Sequence, residues 1–314
     1  MKILILDDIA PVCGDYLKHH GFEVEQAGNI KEVRDRLAQF SVILVRSASK
    51  VKVEEIASAP NLKVIGRAGV GLDNIDLAAS NQRRITVIST PEANTISTAE
   101  LTFALMLALA RSVPMAQRSL EQGQWKRNEF RGTELFGKTL GVIGFGRIGR
   151  EVASRAQAFG MRVLAHDPLI PPEMITKQGA ENCDFEALLL QSDFITLHVP
   201  LLDSTQQVIN RHSIAKMKRG ARLINCARGG LTDELAVRQA LDSGQIGGVA
   251  LDVYAEEPPP KDHPLIGHPS VVCVPHLGAL TDEAQTRAAE ELAHHVVAYL
   301  RDHALRGVVN TEAL

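Results

Sequence analysis

The stretch from residue 139 to residue 167 carries the clearest structural pattern of the sequence. It opens with an apolar run at 140–143, which is typical of a buried parallel strand. The motif G-x-G-x-x-G follows at 144–149, and apolar residues then recur at helical spacing. A second apolar run at 161–165 leads to Asp167. The stretch therefore predicts a βαβ unit with the three glycines in its first turn.

The spacing of these glycines suits the binding of a dinucleotide. Gly144 permits a tight turn, Gly146 lets the backbone approach a pyrophosphate, and Gly149 lets the helix lie close to the strand. The following helix N-terminus offers free N–H groups and a partial positive charge to that pyrophosphate. Asp167 is placed to accept hydrogen bonds from both ribose hydroxyls and to repel a 2′-phosphate. We therefore predict NAD as the cofactor, with a glycine-rich turn of another α/β fold as the alternative.

The rest of the chain alternates strand-like and helix-like segments, which is typical of parallel sheets covered by helices. We expect an α/β fold with two Rossmann-like or flavodoxin-like, doubly wound parallel-sheet domains and an active-site cleft between them. If the last helix, at 282–302, packs against the first sheet, the second domain is inserted into the first. Residues 1–92 and 283–314 would form the substrate-binding domain, and residues 93–282 an inserted NAD-binding domain.

Composition and charge narrow the function classes. The 314 residues predict about two domains. With 34 basic and 37 acidic side chains, a net charge of −3 and no long basic run, a nucleic-acid partner is not expected. Four scattered cysteines predict reduced thiols, no metal site and a cytoplasmic location. The apolar run at 101–110 is about half as long as a bilayer requires, and residues 2–6 resemble a first strand rather than a signal peptide, so no membrane partner is expected.

Three reactive residues follow apparent strands, namely Arg228, Glu257 and His276. Ligands of doubly wound sheets bind beyond the carboxyl ends of the strands. A histidine there could take the proton of a substrate hydroxyl group while hydride leaves the carbon that bears this group. A glutamate paired with the histidine would fix the tautomer of its ring. An arginine could hold a substrate carboxylate and polarise the neighbouring carbonyl. The alternatives are a structural histidine, a surface glutamate and an arginine that contacts only phosphate.

The segments NCARGG, ALDVYAEEP and PHLGA, with GFGRIG before them, resemble the D-isomer-specific 2-hydroxyacid dehydrogenase family. The resemblance extends from residues 45–50 through 66–74 to 307–310. It implies that Arg228, Glu257 and His276 are catalytic. It also implies NAD-dependent oxidation of D-3-phosphoglycerate to 3-phosphohydroxypyruvate, the first step of the phosphorylated route to L-serine. Many members that act on this substrate continue into serine-binding domains, and no serine control is predicted for these residues.

The resemblance also implies binding roles by position. Gly69, Val70 and Gly71 would give backbone N–H groups to the substrate carboxylate. Arg46 and Arg67 would bind the substrate phosphate. The implied cofactor contacts are Gly144, Gly146, Arg147, Ile148, Gly149, Asp167, Pro168, Thr205, Cys226, Ala227, Asp252 and Gly278.

A twofold homodimer is the implied assembly. The helix that starts near Ser97 and the polar arm at 123–137 would form its interface, and Arg127 of the arm would reach the neighbouring subunit's site.

Other functions share parts of this pattern. A glyoxylate or hydroxypyruvate reductase is the nearest alternative, because such enzymes carry similar glycine loops. A formate dehydrogenase is disfavoured, because that branch pairs its histidine with glutamine. Corepressors of the C-terminal-binding-protein type share the fold and the three catalytic residues but act mainly by NADH-dependent partner binding. The segment 277–281 resembles the dehydrogenases rather than those corepressors.

Overall fold

The computed structural model describes residues 1–311 and divides the chain into two compact units. One unit comprises Met1–Asn94 together with the chain from Ala279 onward, and the other comprises Thr95–Gly278. The predicted boundaries lay at 92/93 and 282/283. The last three residues of the predicted range 283–314 lie outside the described residues.

The elements follow one another in a regular alternation of strands and helices. The chain begins in the first unit with β1 (Lys2–Ile5), α1 (Val12–His19), β2 (Glu23–Gln26), a 3-10 helix (Ile30–Gln39), β3 (Val42–Val45), α2 (Val53–Ser58), β4 (Val64–Arg67), α3 (Leu77–Gln82) and β5 (Thr86–Ile88). The second unit contains α4 (Thr95–Ala110), α5 (Val113–Glu121), a 3-10 helix (Arg127–Phe130), β6 (Thr139–Ile143), α6 (Arg147–Ala158), β7 (Arg162–His166), α7 (Pro172–Lys177), β8 (Glu181–Asn182), α8 (Phe185–Gln191), β9 (Phe194–Leu197), α9 (Arg211–Lys216), β10 (Ala221–Asn225), a 3-10 helix (Gly229–Leu231), α10 (Glu234–Asp242), β11 (Ile246–Leu251) and β12 (Val271–Cys273). The chain then returns to the first unit in α11 (Asp282–Asp302).

The first unit is built on a parallel sheet with the order β2-β1-β3-β4-β5, the flavodoxin-like arrangement. Successive strand residues face opposite sides, so Ile3 lies in one apolar core and Leu4 in the other. The helix α11 covers the first of these cores with Leu292 and Val296. The segment Ile30–Gln39 forms a 3-10 helix, which packs Val33 and Leu37 into the second core.

The second unit has a seven-stranded parallel sheet with the order β12-β11-β10-β9-β6-β7-β8. Because β6 pairs with both β7 and β9, the strand order reverses there, which is the switch point at which Rossmann folds bind ligands. The prediction of two doubly wound parallel-sheet domains is confirmed.

No single helix within residues 1–311 is both long and apolar enough to cross a membrane. The helices α4 and α5 pass that test only as a pair, and they are bent by 62°.

Candidate active site

The glycine-rich turn between β6 and α6 cannot accommodate side chains at two of its three glycines. At Gly144 the backbone has φ +92°, and a Cβ would lie 2.6 Å from the carbonyl carbon of His198. At Gly149 a Cβ would lie 2.1 Å from the carbonyl oxygen of Gly144. By contrast, a Cβ at Gly146 would meet nothing within 4 Å, so this side of the turn is open to an approaching group.

The first turn of α6 has no side-chain cap at its N-terminus. Its N-cap is Gly146, which provides no side-chain cap for the N–H groups of this twelve-residue helix. Arg147 and Ile148 occupy the first two helical positions. An open backbone approach beside uncapped helical N–H groups fits a pyrophosphate, and hence the dinucleotide that the sequence predicts.

Asp167 follows β7 and has a structural role that the sequence did not reveal. Its Oδ2 accepts a hydrogen bond from Phe145 N at 2.8 Å, and its Oδ1 accepts one from Leu169 N at 2.9 Å. The carboxylate therefore ties the glycine-rich turn to the end of β7, with Pro168 in the bridged loop. Each oxygen keeps a further lone pair that could accept from a ribose hydroxyl.

Two other predicted cofactor positions are fixed by local contacts. The hydroxyl of Thr205 donates to Pro200 O at 2.6 Å and accepts from Leu202 N at 2.8 Å, which closes the loop after β9. Cys226 follows β10 in a buried position, and burial raises the pKa of its thiol to about 12. The thiol is therefore protonated near neutral pH and contributes no charge.

The loop after β10 carries Arg228. Its carbonyl oxygen accepts from Asn225 Nδ2 at 2.8 Å, while Asn225 Oδ1 accepts from Ala227 N at 3.0 Å. At the next residue, Gly229, a Cβ would lie 1.9 Å from the carbonyl carbon of Tyr254. The backbones of the loops after β10 and β11 therefore touch, which places Arg228 beside the loop that carries the predicted glutamate.

His276 and Glu257 form a direct pair. The distance from His276 Nδ1 to Glu257 Oε2 is 2.6 Å, and Glu257 Oε1 also accepts from Tyr254 N at 3.1 Å. A carboxylate can only accept, so the contact places the proton of the neutral ring on Nδ1 and leaves Nε2 for proton exchange. The His276 side chain is 51% exposed, so substrate can reach it.

Asp252, at the end of β11, holds the turn after His276 in place. Its oxygens accept from Leu277 N at 2.5 Å and from Gly278 N at 2.9 Å. The carbonyl of Gly278 in turn accepts from the hydroxyls of Ser97 and Thr98 at 2.8 and 3.0 Å. Burial raises the pKa of Asp252, although the two N–H groups oppose that shift.

A second histidine–glutamate pair, Glu234 and His263, supports the same region and was missed by sequence reasoning. Glu234 Oε2 lies 3.1 Å from His263 Nε2, and its Oε1 accepts from Ala255 N at 3.0 Å. His263 Nδ1 accepts from Leu265 N at 3.2 Å. The pair thus stabilises the loop that carries Glu257. Neither residue belongs to a motif that the sequence analysis identified.

In the first unit, Arg46 and Gly69 line one solvent-open cleft of about 350 Å³, together with Asp8 and Asn94. Arg46 is held through its backbone N–H, which donates to Asp7 Oδ2 at 2.8 Å.

The glycine loop at 69–71 lies against Arg67. Gly69 has φ +138°, and a Cβ there would lie 2.2 Å from Arg67 Nη1. The N–H of Gly69 donates to Thr90 Oγ1 at 2.7 Å. Of the three donors predicted for a substrate carboxylate, this leaves the N–H groups of Val70 and Gly71.

The arm at 123–137 contains the last predicted residue, Arg127, at the start of the 3-10 helix Arg127–Phe130. The arm exposes two large aromatic side chains, Trp125 at 80% and Phe136 at 76%. Within residues 1–311, no group of three or more histidine, cysteine or acidic side chains is arranged to hold a metal ion.

Comparisons with known proteins show which family the chain resembles. Residues 103–278 match the model of the D-isomer specific 2-hydroxyacid dehydrogenase NAD binding domain. Human D-3-phosphoglycerate dehydrogenase is 46% identical over 315 aligned residues and the Methanocaldococcus jannaschii enzyme of that name is 47% identical over 313, covering 100% and 99% of this chain. The chain spans 59% of the length of each of these relatives. A solved glyoxylate reductase from Paecilomyes thermophila is 31% identical with a TM-score of 0.87, over 98% of both chains.

Proposed function

We propose that this chain, which belongs to the D-isomer specific 2-hydroxyacid dehydrogenase family, oxidises D-3-phosphoglycerate to 3-phosphohydroxypyruvate with NAD. That reaction is the first step of the phosphorylated route to L-serine. The observation that carries the proposal is the 2.6 Å pair of His276 and Glu257, beyond the strand ends of a sheet whose switch point holds the glycine-rich turn. The substrate is inferred from the names of the relatives and from the arginines of the first unit.

The proposed mechanism assigns one task to each side chain. Bound NAD would supply the acceptor for the hydride that leaves C2 of the hydroxy acid. His276 Nε2 takes the hydroxyl proton, so the C2–O bond becomes a carbonyl as the C2–H bond breaks. Glu257 stabilises the imidazolium that forms and keeps Nδ1 protonated. Arg228 holds the substrate carboxylate and polarises the carbonyl, which in the reverse direction is the hydride acceptor.

Kinetics on a panel of 2-hydroxy acids test the substrate. If Arg46 and Arg67 bind the phosphate, kcat/KM for D-3-phosphoglycerate should exceed that for D-glycerate by about 100-fold or more, because each charge-assisted contact contributes about 1.5–3 kcal/mol. Arg46→Gln should reduce this preference, while Arg34→Gln, which removes another exposed arginine of the same unit, should not. Equal activity on D-glycerate would rule out the phosphate role of the two arginines.

A glyoxylate or hydroxypyruvate reductase is the second candidate, because a glyoxylate reductase aligns over nearly the whole chain. Such an enzyme would turn over glyoxylate with NADH faster than it oxidises D-3-phosphoglycerate with NAD. A corepressor-type protein would bind NADH without turning over either substrate. The same panel, assayed in both directions, separates the three functions.

Asp167 is expected to decide between NAD and NADP. Asp167→Ala should weaken NAD binding by about 10-fold or more and bring the two affinities closer together, because the change removes ribose acceptors and a charge that repels a 2′-phosphate. The melting temperature should also fall, since Phe145 N and Leu169 N lose their acceptor. Calorimetric titration with both cofactors measures this. The control is Asp262→Ala, at an exposed position in another loop of the same unit. An unchanged ratio of NAD to NADP affinity would contradict the role.

A homodimer in the cytoplasm is the proposed assembly and location, supported by the exposed aromatics of the arm and by four free thiols. Light scattering should give twice the 34.1 kDa chain mass. The double change Trp125→Ser and Phe136→Ser should raise the dimer Kd by about 1000-fold, because each buried aromatic anchor contributes about 2 kcal/mol. Leu235→Ser, on the exposed face of α10, is the control. An unchanged dimer Kd in the double variant would show that the interface lies elsewhere.

A further inference from the structure

Arg222 is an unusual residue for its position in β10. The strand reads ARLIN and lies inside a parallel sheet, where buried apolar side chains are the rule. Arg222 is half-buried and in register with Phe194 of β9, and its guanidinium carbon lies 5.4 Å from the centre of the Phe194 ring. Burial lowers the pKa of Arg222, because it disfavours the charged form of the guanidinium. Stacking on the aromatic ring compensates only part of that cost.

Arg222 lines a cleft at the amino-terminal ends of β6, β9 and β10, the edge opposite the glycine-rich turn and the catalytic loops. The cleft is open to solvent and has a volume of about 340 Å³. Three more cations line it, namely Lys138, Lys218 and Arg219. The carboxylate among its lining residues is that of Asp193.

That carboxylate is already occupied. Asp193 Oδ2 accepts from Thr139 N at 2.8 Å, and Oδ1 accepts from Lys218 Nζ at 3.0 Å. Burial alone would raise the pKa of Asp193, but these two donors hold it below its usual value. Asp193 is therefore ionised at neutral pH. Of the four cations it contacts only Lys218 directly, and it attracts Lys138 and Arg222 at longer range.

The remaining cations are poorly compensated. Four cations and one carboxylate give the lining a charge of +3, in a chain whose net charge is −3. Among the described residues, no hydrogen bond or ion pair is found for the side chains of Lys138 and Arg222. Arg219 makes one long contact, 3.4 Å from Nη2 to Ser243 O. Excess positive charge in a concave site favours the binding of an anion.

We propose that this cleft binds a small phosphate-bearing anion at a site separate from those for the dinucleotide and the substrate. A phosphoryl group carries close to two negative charges and three acceptor oxygens. A guanidinium fork can bind two of those oxygens at once, and the ammonium groups can reach the third. The site lies in the NAD-binding unit alone and does not depend on which hydroxy acid the protein oxidises. An occupant stabilises the folded state by a free energy that grows with the logarithm of its concentration relative to its Kd.

Calorimetric titration of the NAD-saturated protein at constant ionic strength tests the proposal, with inorganic phosphate and glycerol 3-phosphate as separate probes. Saturating NAD prevents phosphate from binding at the glycine-rich turn, where the pyrophosphate of NAD is expected to bind. Arg46→Gln serves as background to weaken phosphate binding in the first unit. We expect saturable binding and a rise in melting temperature of about 5 °C at saturation. Binding of the free ion alone would identify inorganic phosphate as the ligand, and binding of the ester would identify a phosphorylated metabolite.

Substitutions in the cleft should abolish this binding selectively. Arg222→Gln and Lys138→Gln should each weaken it by about 10-fold or more, the effect of losing one charge-assisted contact. Lys177→Gln, which removes an exposed cation at the end of α7, should leave it unchanged. If Arg222→Gln does not fold, Arg219→Gln carries the test, because that side chain is exposed. Unchanged phosphate affinity in the folded cleft variants, or equal stabilisation by chloride, would overturn the proposal.

Discussion

Replacing His276 with alanine is expected to lower kcat for the proposed oxidation of D-3-phosphoglycerate by about 100- to 10,000-fold, the usual contribution of a positioned acid–base group. His276 Nε2 is the ring nitrogen left for the hydroxyl proton, because Nδ1 lies 2.6 Å from Glu257 Oε2. The dissociation constant of NAD should change little, since the pyrophosphate cradle lies at the glycine-rich turn. Stopped-flow measurement of NADH formation reports the hydride step directly.

Two variants make this result specific. His212→Ala removes an exposed histidine of α9 in the same unit and should leave kcat within about twofold. Glu257→Gln keeps an acceptor for the Nδ1 proton but loses the charge that stabilises the imidazolium. It should therefore lower kcat less than the histidine change does. Near-normal turnover by His276→Ala would show that another group moves the proton.

The fold could be predicted from the sequence where burial dictates residue type. Strands such as β3 and β9 are covered on both faces, so they must be apolar, and they stand out between polar helices. The edge strand β8 has two exposed polar residues and left no such pattern. The order of strands within each sheet rests on contacts between distant segments, which a single sequence does not display.

The candidate site was predictable to the extent that its residues follow apolar strands. His276 and Glu257 were found in this way, and the structure brings them together. The brace formed by Glu234 and His263 was not found, because its members lie in a helix and a loop and act through backbone groups elsewhere. The acceptor of the Gly69 N–H likewise depends on where the chain places Thr90, which local sequence does not determine.

Gly229→Ala is expected to reduce kcat by about 100-fold or more, although Gly229 carries no reactive group. A Cβ at this position would lie 1.9 Å from the carbonyl carbon of Tyr254 and 2.4 Å from Ala255 N. Because both obstacles are backbone atoms, the loops after β10 and β11 must separate by about 1 Å or more. Misplacement of that size costs about 100-fold when it reaches catalytic groups. Here it would shift Arg228 away from the loop that holds Glu257.

Gly230→Ala is the matched control, because it adds the same methyl group one residue later. The atoms nearest to a Cβ there belong to the side chain of Leu201, 2.9 Å away, which is exposed and can rotate aside. Gly229→Ala should also lower the free energy of unfolding by about 1–3 kcal/mol, the usual cost of overpacking, whereas Gly230→Ala should not. Steady-state kinetics and thermal unfolding of the two variants measure both effects. Equal activity in the two variants would mean that the contact between the loops does not position the catalytic residues. A loss of kcat confined to Gly229→Ala would show that Arg228 and Glu257 act only when the backbones that carry them are in contact.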